Sequence, residues 1–438
     1  MNRPMTYREA VAFLYGLQTF GMKFGLTGIR RLLRELGNPH EQFPAIHIAG
    51  SNGKGSVASM LAAILTAAGY RTGLYTSPHL MRVNERIRID GCPIPSGALT
   101  RLVQRAAPTV RVRHATFFET MTAVAFRYFA DANVDIAVIE TGLGGRLDAT
   151  NVLRPLVSVI TSIDLEHTQI LGSTLSRIAR EKGGIIKPGI PCVTGSLAAG
   201  PARTIRRIAR SLEAPLIEVA NPRWNIRESS LTGFRGDVRI GRAVWSDLCV
   251  SLSGPHQSSN AAIALQTVQV LRAAGDVKIP DRAVRTGLAG VEKLSGLHGR
   301  LERVRRRPFI VADVAHNPAA MRALASAAET FGLRPAFVMM GVMKDKAYVP
   351  MIEVLAPVTG KAFVVTARTS RSRDAGDLRR VFARLQVPVE SFATVREGLR
   401  AVLREVPRGR CVLITGSHFV VGEALAELTR KIYLTINQ

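Results

Sequence analysis

One glycine-rich turn between an apolar strand and an apolar helix constrains this chain more than any other feature. Ile46-His47-Ile48-Ala49 leads into Gly50-Ser51-Asn52-Gly53-Lys54-Gly55-Ser56, and Val57 to Ala68 follows as an apolar helical run. Strand, tight loop and helix in this order form a cradle for a triphosphate. Backbone N–H groups ring the phosphates, the helix N-terminus adds positive potential, and a Lys and a hydroxyl complete the grip. The general pattern asks for Gly, four residues, Gly-Lys and then Ser/Thr. Here Gly55 intervenes before Ser56, and Ile48 stands where the first Gly belongs. Ser51, Asn52, Gly53, Lys54, Gly55 and Ser56 are the candidate nucleotide contacts of a variant loop.

The surroundings suit that loop. Apolar runs at 45–49, 72–76, 135–140, 156–163, 190–194 and 215–219 predict strands, and helical spacing occurs at 54–68, 117–131, 174–182 and 201–213, after one or two amphipathic helices within 7–37. This alternation predicts a parallel sheet covered on both faces. Residues 231–253 predict an antiparallel hairpin, and 259–273 a helix. Leu294-Ser295-Gly296-Leu297-His298-Gly299 is turn-rich. Beyond it a second series begins, with strands at 308–313, 335–341, 361–366 and 410–415 and helices at 318–331, 346–355, 376–384, 394–404 and 419–431. The 438 residues are long enough for two or three domains. The expectation is an α/β protein of two domains: 1–295, a P-loop domain with a mostly parallel sheet flanked by helices, and 296–438, a smaller Rossmann-like domain.

Charge raises a competing reading. There are 59 Lys+Arg against 33 Asp+Glu, a net +26, which suggests a nucleic-acid-binding ATPase. The basic residues are spread along the chain, with local runs at Arg303 to Arg307 and Arg368 to Arg373. Aromatics make up 6% of residues, and no basic stretch interleaves them for base stacking. A solvated Arg-rich surface and attraction of small polyanionic substrates both fit better, so no nucleic-acid partner is expected. The polar start Met1 to Glu9 and the short, mixed run Ala10 to Phe20 predict neither a signal nor a membrane span. The four scattered cysteines form no CxxC pair and read as free thiols in a reducing cytoplasm.

Ligands of open parallel sheets bind at the carboxyl ends of the strands. Polar residues follow four of the apolar runs: the glycine loop itself, Thr76-Ser77-Pro78-His79-Leu80, Glu140 with Thr141 to Asn151, and Asp164-Leu165-Glu166-His167-Thr168. Ser56, Ser77 and Glu140 supply the oxygens that Mg²⁺ prefers beside phosphates. His167 is equally suited to a structural hydrogen bond, to metal ligation or to a phosphate contact.

Together these segments resemble the folylpolyglutamate synthase family of the Mur ligase superfamily, most closely its bacterial dihydrofolate synthase/folylpolyglutamate synthase branch. The resemblance rests on the loop variant, on Tyr75-Thr76-Ser77-Pro78-His79-Leu80 with Asn84-Glu85-Arg86-Ile87, and on Glu140 to Asn151. It rests also on His167-Thr168, Arg180-Glu181-Lys182, Gly254-Pro255-His256-Gln257 with Asn260-Ala261, Asp313-Val314-Ala315-His316-Asn317-Pro318, Thr116-Phe117-Phe118-Glu119 and Leu36-Gly37-Asn38-Pro39. Each motif is modest, but the ordered set across both domains is specific. Gly416-Ser417-His418-Phe419 departs from the family's residue order.

The resemblance implies an ATP-dependent ligase joining L-glutamate to dihydropteroate, and to folates such as tetrahydrofolate, through an acyl phosphate. Ser77, Glu140 and His167, with Ser56 nearby, would hold Mg²⁺, in two ions if Lys182 carries the family's carbamate. Lys54, Glu140, His167 and Lys182 are the catalytic candidates. Asn260, Arg300, Asp313 and His316 join the loop as ATP contacts. Met22, Lys23, Phe24, Thr116, Phe117, Phe118, Glu119, Leu147, Asp148 and Ala149 would line the pterin site. A monomer in the cytoplasm, with no membrane partner, is the expectation. A folate-extending enzyme without dihydropteroate activity, or a ligase of peptidoglycan precursors, are the alternatives within the superfamily.

Overall fold

The computed structural model describes residues 3–20, 25–219, 222–241, 243–275, 277–407 and 409–429. Its first sheet has eight strands: Ala45–Ala49 (β1), Thr72–Tyr75 (β2), Ile87–Ile89 (β3), Cys92–Pro93 (β4), Ile136–Glu140 (β5), Val157–Ile160 (β6), Cys192–Thr194 (β7) and Leu216–Glu218 (β8). Their order is β4-β3-β2-β5-β1-β6-β7-β8. From β2 to β8 all pairings are parallel, and β3 and β4 are antiparallel additions at one edge. Every residue of β1 and β5 is buried, as their apolar runs require. The register pairs Ile48 with Glu140 and Ala49 with Ile160, so the phosphate loop and the ends of β5 and β6 emerge side by side.

The helix Lys54–Ala67 is buried from Gly55 to Leu65. It packs closely enough on the helix Asp281–Ala289 that a Cβ on Gly287 would stand 2.5 Å from Ile64 Cα. The opposite face of the sheet is covered by the helices Tyr7–Gly16, Thr27–Glu35, Ser96–Arg113 and Phe117–Asp131. The helix Ser96–Arg113 has no counterpart among the predicted helices. Pro108 interrupts its pattern, and its buried face is partly alanine (Leu99, Val103, Ala106, Ala107, Val110).

The predicted hairpin is a three-stranded antiparallel sheet: Trp224–Ser230 (β9), Gly233–Ile240 (β10) and Ala243–Val250 (β11), in the order β11-β10-β9. β9 lies outside the predicted range because it is mostly exposed and polar. Phe234, Val238 and Ile240 of β10 join the core that includes the helix His256–Ala274.

The second sheet comprises Glu302–Arg305 (β12), Phe309–Ala312 (β13), Ala336–Met340 (β14), Thr359–Val365 (β15), Val389–Phe392 (β16) and Cys411–Thr415 (β17), in the order β12-β13-β17-β14-β15-β16. All pairings are parallel except β12 with β13. Helices Pro318–Thr330, Tyr348–Leu355 and Ala375–Arg384 share one core, and Val395–Glu405 and His418–Thr429 share another. Two sheets of mostly parallel strands, each sandwiched by helices, agree with the α/β expectation. Among the described residues no helix is long and apolar enough to cross a membrane. Cys92, Cys192, Cys249 and Cys411 are free.

Candidate active site

The phosphate loop is held open by its neighbours. Gly50 and Gly53 have φ of 156° and 84°. A Cβ on Gly53 would stand 2.4 Å from Asn260 Oδ1, so the turn passes directly against the helix His256–Ala274. Asn260 Nδ2 in turn donates to Gln257 Oε1 at 2.9 Å. Ser51 N and Asn52 N donate to Ser162 O and Ser162 Oγ, both at 2.9 Å, and Thr161 Oγ1 donates to Asn52 O at 2.6 Å. The end of β6 therefore fixes the loop. Lys54 opens the helix and folds back, its Nζ donating to Gly50 O at 2.7 Å. The first backbone N–H groups of that helix have no intrahelical acceptors and are available to an anion.

Glu140 ends β5, is 4% exposed, and accepts from Ser77 N at 3.1 Å. Burial raises its pKa against the opposing pull of Lys54, the Ser77 N–H, Arg300 and Arg86. Gly55 marks the convergence: a Cβ there would stand 3.3 Å from Arg300 Nη2 and 3.8 Å from Glu140 Oε2. The residue that breaks the general loop pattern lies where a cation from the second sheet meets the carboxylate of the first. Ser56 is buried beside it.

His167 adopts φ 44° before the short helix Thr168–Leu171, with Nε2 3.4 Å from Lys346 Nζ. Burial and Lys346 lower its pKa. Lys182 is 1% exposed and ion-paired to Glu166 at 2.6 Å. Burial outweighs that partner and lowers the Lys182 pKa to about 8. For Glu166 burial works the other way, but Lys182 and Lys54 hold its carboxyl well below the usual range. Among the described residues no three His, Cys, Asp or Glu side chains form a metal-binding group. Ser56, Ser77 and Glu140 still offer what Mg²⁺ needs next to phosphates: two hydroxyls and a buried carboxylate with oxygens to spare. Lys182 fits as a ligand only after carbamylation, because an ammonium has no lone pair.

The second sheet delivers Arg300 by its backbone. Glu302 Oε2 accepts from Gly299 N at 2.7 Å, and Asp313 Oδ2 accepts from Leu301 N at 2.9 Å. Asp313 Oδ1 accepts from Ala315 N at 2.8 Å, so one oxygen of the expected nucleotide contact holds the turn that carries Arg300 and the other holds its own loop. His316 Nδ1 donates to Val314 O at 2.8 Å, which leaves Nε2 as the acceptor. Burial and Lys346 lower its pKa to about 4. His418 lies beside it, ring centroids 5.2 Å apart. Asn317 caps the helix Pro318–Thr330 through Ala320 N and also donates to Asn52 Oδ1 at 2.9 Å. Asn52 Nδ2 reaches Asp164 Oδ2 at 3.0 Å.

The expected pterin residues divide. Met22, Lys23 and Phe24 lie outside the described residues. Thr116 and Glu119 form a reciprocal cap on the helix Phe117–Asp131, each accepting from the other's backbone N–H. Asp148 is buried and accepts from Leu143 N at 2.8 Å and Thr150 N at 3.0 Å, organising its own loop. Leu147 is half-buried and Ala149 buried. Phe117 stacks on Tyr15 at 5.8 Å, with the Arg86 guanidinium 5.1 Å from its ring. Phe118 covers Gly142, where a Cβ would come 2.5 Å from the ring, and its centroid is 6.1 Å from that of Tyr75. The aromatic surface is present, but three of its expected polar contacts, Thr116, Glu119 and Asp148, serve the local backbone.

A narrow cleft opens between the sheets, lined by Gly55, Ser77, Arg88, Glu140, Arg300 and His418 among others. Lys346 and Arg88 belong to this site without having been among its sequence candidates, and Glu166 stood only within the strand-end segment Asp164 to Thr168, with no role assigned. Lys346 follows the end of β14, so the strand-end rule applied to the second sheet finds it. Arg88 sits within a strand and carries no such signal.

The comparisons agree with this geometry. Residues 48–268 match the "Mur ligase middle domain" model and 299–418 the "Mur ligase, glutamate ligase domain" model. A Bacillus subtilis relative, "Dihydrofolate synthase/folylpolyglutamate synthase", is 34% identical over 95% of this chain and 98% of its own. A Haloferax volcanii relative, "Probable bifunctional folylpolyglutamate synthase/dihydropteroate synthase", is 37% identical over 98% of this chain, which spans 51% of that longer protein. The solved structure "E.coli FolC in complex with DHPP and ADP" superposes with a TM-score of 0.86 at 28% identity, covering 97% of this chain and 98% of that one. A phosphate loop, an acidic rim and an arginine delivered from a second sheet, in a chain matching both Mur ligase models and full-length relatives, place this protein in the folylpolyglutamate synthase family of Mur ligases.

Proposed function

We propose that this chain is an ATP-dependent ligase that joins L-glutamate to dihydropteroate, giving dihydrofolate, and to tetrahydrofolate, giving folylpolyglutamates. It works in two domains divided near residue 295, as a monomer in the cytoplasm. The observation that carries the reading is the meeting of Arg300 and Glu140 at Gly55 of the phosphate loop. A carboxylate is a poor electrophile until it bears a leaving group, and bringing it to a γ-phosphate sets two anions together. Cations must neutralise both.

Lys54 and the first N–H groups of its helix hold the phosphates, and Arg300 approaches from the other side. A substrate carboxylate oxygen attacks the γ-phosphorus, the bond to the β-phosphate oxygen breaks, and ADP leaves. The glutamate amine then attacks the acyl carbon, loses a proton, and inorganic phosphate departs as the amide forms. Ser56, Ser77, Glu140 and His167 would hold Mg²⁺, with Lys182 as its carbamate for a second ion. Bound there, the metal would offset phosphate charge. The depressed Lys182 pKa supports carbamylation, since the neutral amine is the form that reacts with CO₂. Phe118 supports a stacked pterin.

The deciding experiment is a substrate matrix: phosphate release with ATP, Mg²⁺ and glutamate, adding dihydropteroate or tetrahydrofolate in turn. Turnover with both is expected. Turnover with neither sinks the reading.

A further inference from the structure

Arg88 lies on β3, is 7% exposed, and forms part of the cleft wall. A buried arginine is ordinarily paired, because an uncompensated buried charge is costly. Arg88 is under-paired. Its Nη1 donates to Thr76 Oγ1 at 3.3 Å, while Nε, beneath Gly296 of the linker, has no acceptor. The nearby Glu85 carboxylate already accepts from the backbone N–H groups of Leu80, Met81 and Arg82. The guanidinium therefore borders the cleft with Glu85 as an electrostatic neighbour but with hydrogen-bonding capacity left unused. It does so at the reacting end, since Thr76 directly precedes Ser77, whose N–H holds Glu140.

The two proposed substrates differ at that end. Dihydropteroate carries one carboxylate, the one to be activated. A folate ends in a glutamyl residue with two. One is activated, and the other remains as a spectator anion a few bonds from the reacting carbon. We propose that Arg88 receives this spectator carboxylate and so decides whether the site can extend a folate. The planar fork of a guanidinium matches a carboxylate in two parallel hydrogen bonds, and the buried position strengthens the pairing. This inference rests on the ligase reading above, and names the residue that separates its two reactions.

The test measures kcat/KM for dihydropteroate and for tetrahydrofolate in the wild type, Arg88→Met and Arg88→Lys, at varied glutamate. With Arg88→Met we expect tetrahydrofolate kcat/KM to fall by about tenfold to a hundredfold more than dihydropteroate kcat/KM, the difference being partly restored in Arg88→Lys. A parallel arm uses wild-type protein and a folate whose spectator carboxylate is an amide, which should lose a similar factor. If Arg88→Met does not fold, the amide and Arg88→Lys together decide the matter, since Arg88→Lys should lose less on the amide than on the acid. Equal losses with both pterins, or a loss confined to the KM of glutamate, would assign Arg88 to the incoming amino acid and overturn the proposal. So would wild-type indifference to the amide, or wild-type activity on dihydropteroate alone. Wild-type inactivity with both pterins is a failure of the ligase reading itself.

Discussion

Glu140 is a carboxylate held where burial disfavours its charge. For an acid whose folded pKa is raised, the unfolded chain releases its proton first as pH rises. Stability therefore falls through the window above the ordinary carboxylate value, and at neutral pH the charge destabilises the fold. Such a group is retained for function rather than stability. Glu140→Gln removes the charge and keeps an acceptor for Ser77 N–H. We expect turnover to fall by on the order of a hundredfold or more, with a melting temperature equal to or above wild type. Near-normal turnover, or a large drop in melting temperature, would make Glu140 structural. Glu140 was legible in the sequence because it ends an apolar run beside a phosphate loop. Glu166 stood in a quoted segment but gave no sign of its role, because its meaning depends on Lys182, which only the fold brings to 2.6 Å.

Thr116 to Glu119 show how one motif serves two levels of structure. Sequence reasoning placed all four residues against the pterin. In the structure Thr116 and Glu119 close the N-terminus of the helix Phe117–Asp131, and the two phenylalanines between them turn to different surfaces. Thr116→Ala should lower unfolding free energy by about 1 kcal/mol, the usual effect of losing a threonine cap, read as a shifted denaturant midpoint at constant slope. The pterin KM should barely change, whereas Phe118→Ala should raise it several-fold. A raised KM in Thr116→Ala without loss of stability would return Thr116 to the binding surface. Other elements were legible in proportion to their apolar runs. β1, β5, β14 and β17 are central and nearly fully buried, and their sequences announce them. β3, β4, β12 and β16 are short strands at or near sheet edges that mix in charged or turn-forming residues, which hid them.

At the scale of the molecule, the two sheets meet at the chemistry. Asn317 reaches Asn52, Lys346 stands 3.4 Å from His167, and Arg300 lies against Gly55. The ordered motifs announced both halves, but none of these contacts has a local signature, because each joins residues more than 170 positions apart. The turn at Arg300 shows how the second sheet acts on the first. Glu302 and Asp313 hold the backbone N–H on either side of it, so the guanidinium is aimed by the end of one sheet at the loop of the other. An arginine placed this way should stabilise charge that develops during phosphoryl transfer more than it stabilises the bound pterin. Arg300→Ala is therefore expected to lower kcat by on the order of a hundredfold while leaving the pterin KM within about twofold. Single-turnover measurement of ADP formation should show the same loss, locating it in the transfer step rather than in product release. An unchanged kcat with a raised pterin KM would instead make Arg300 a wall of the cleft, and would leave Lys54 as the phosphate cation on which the ligase depends.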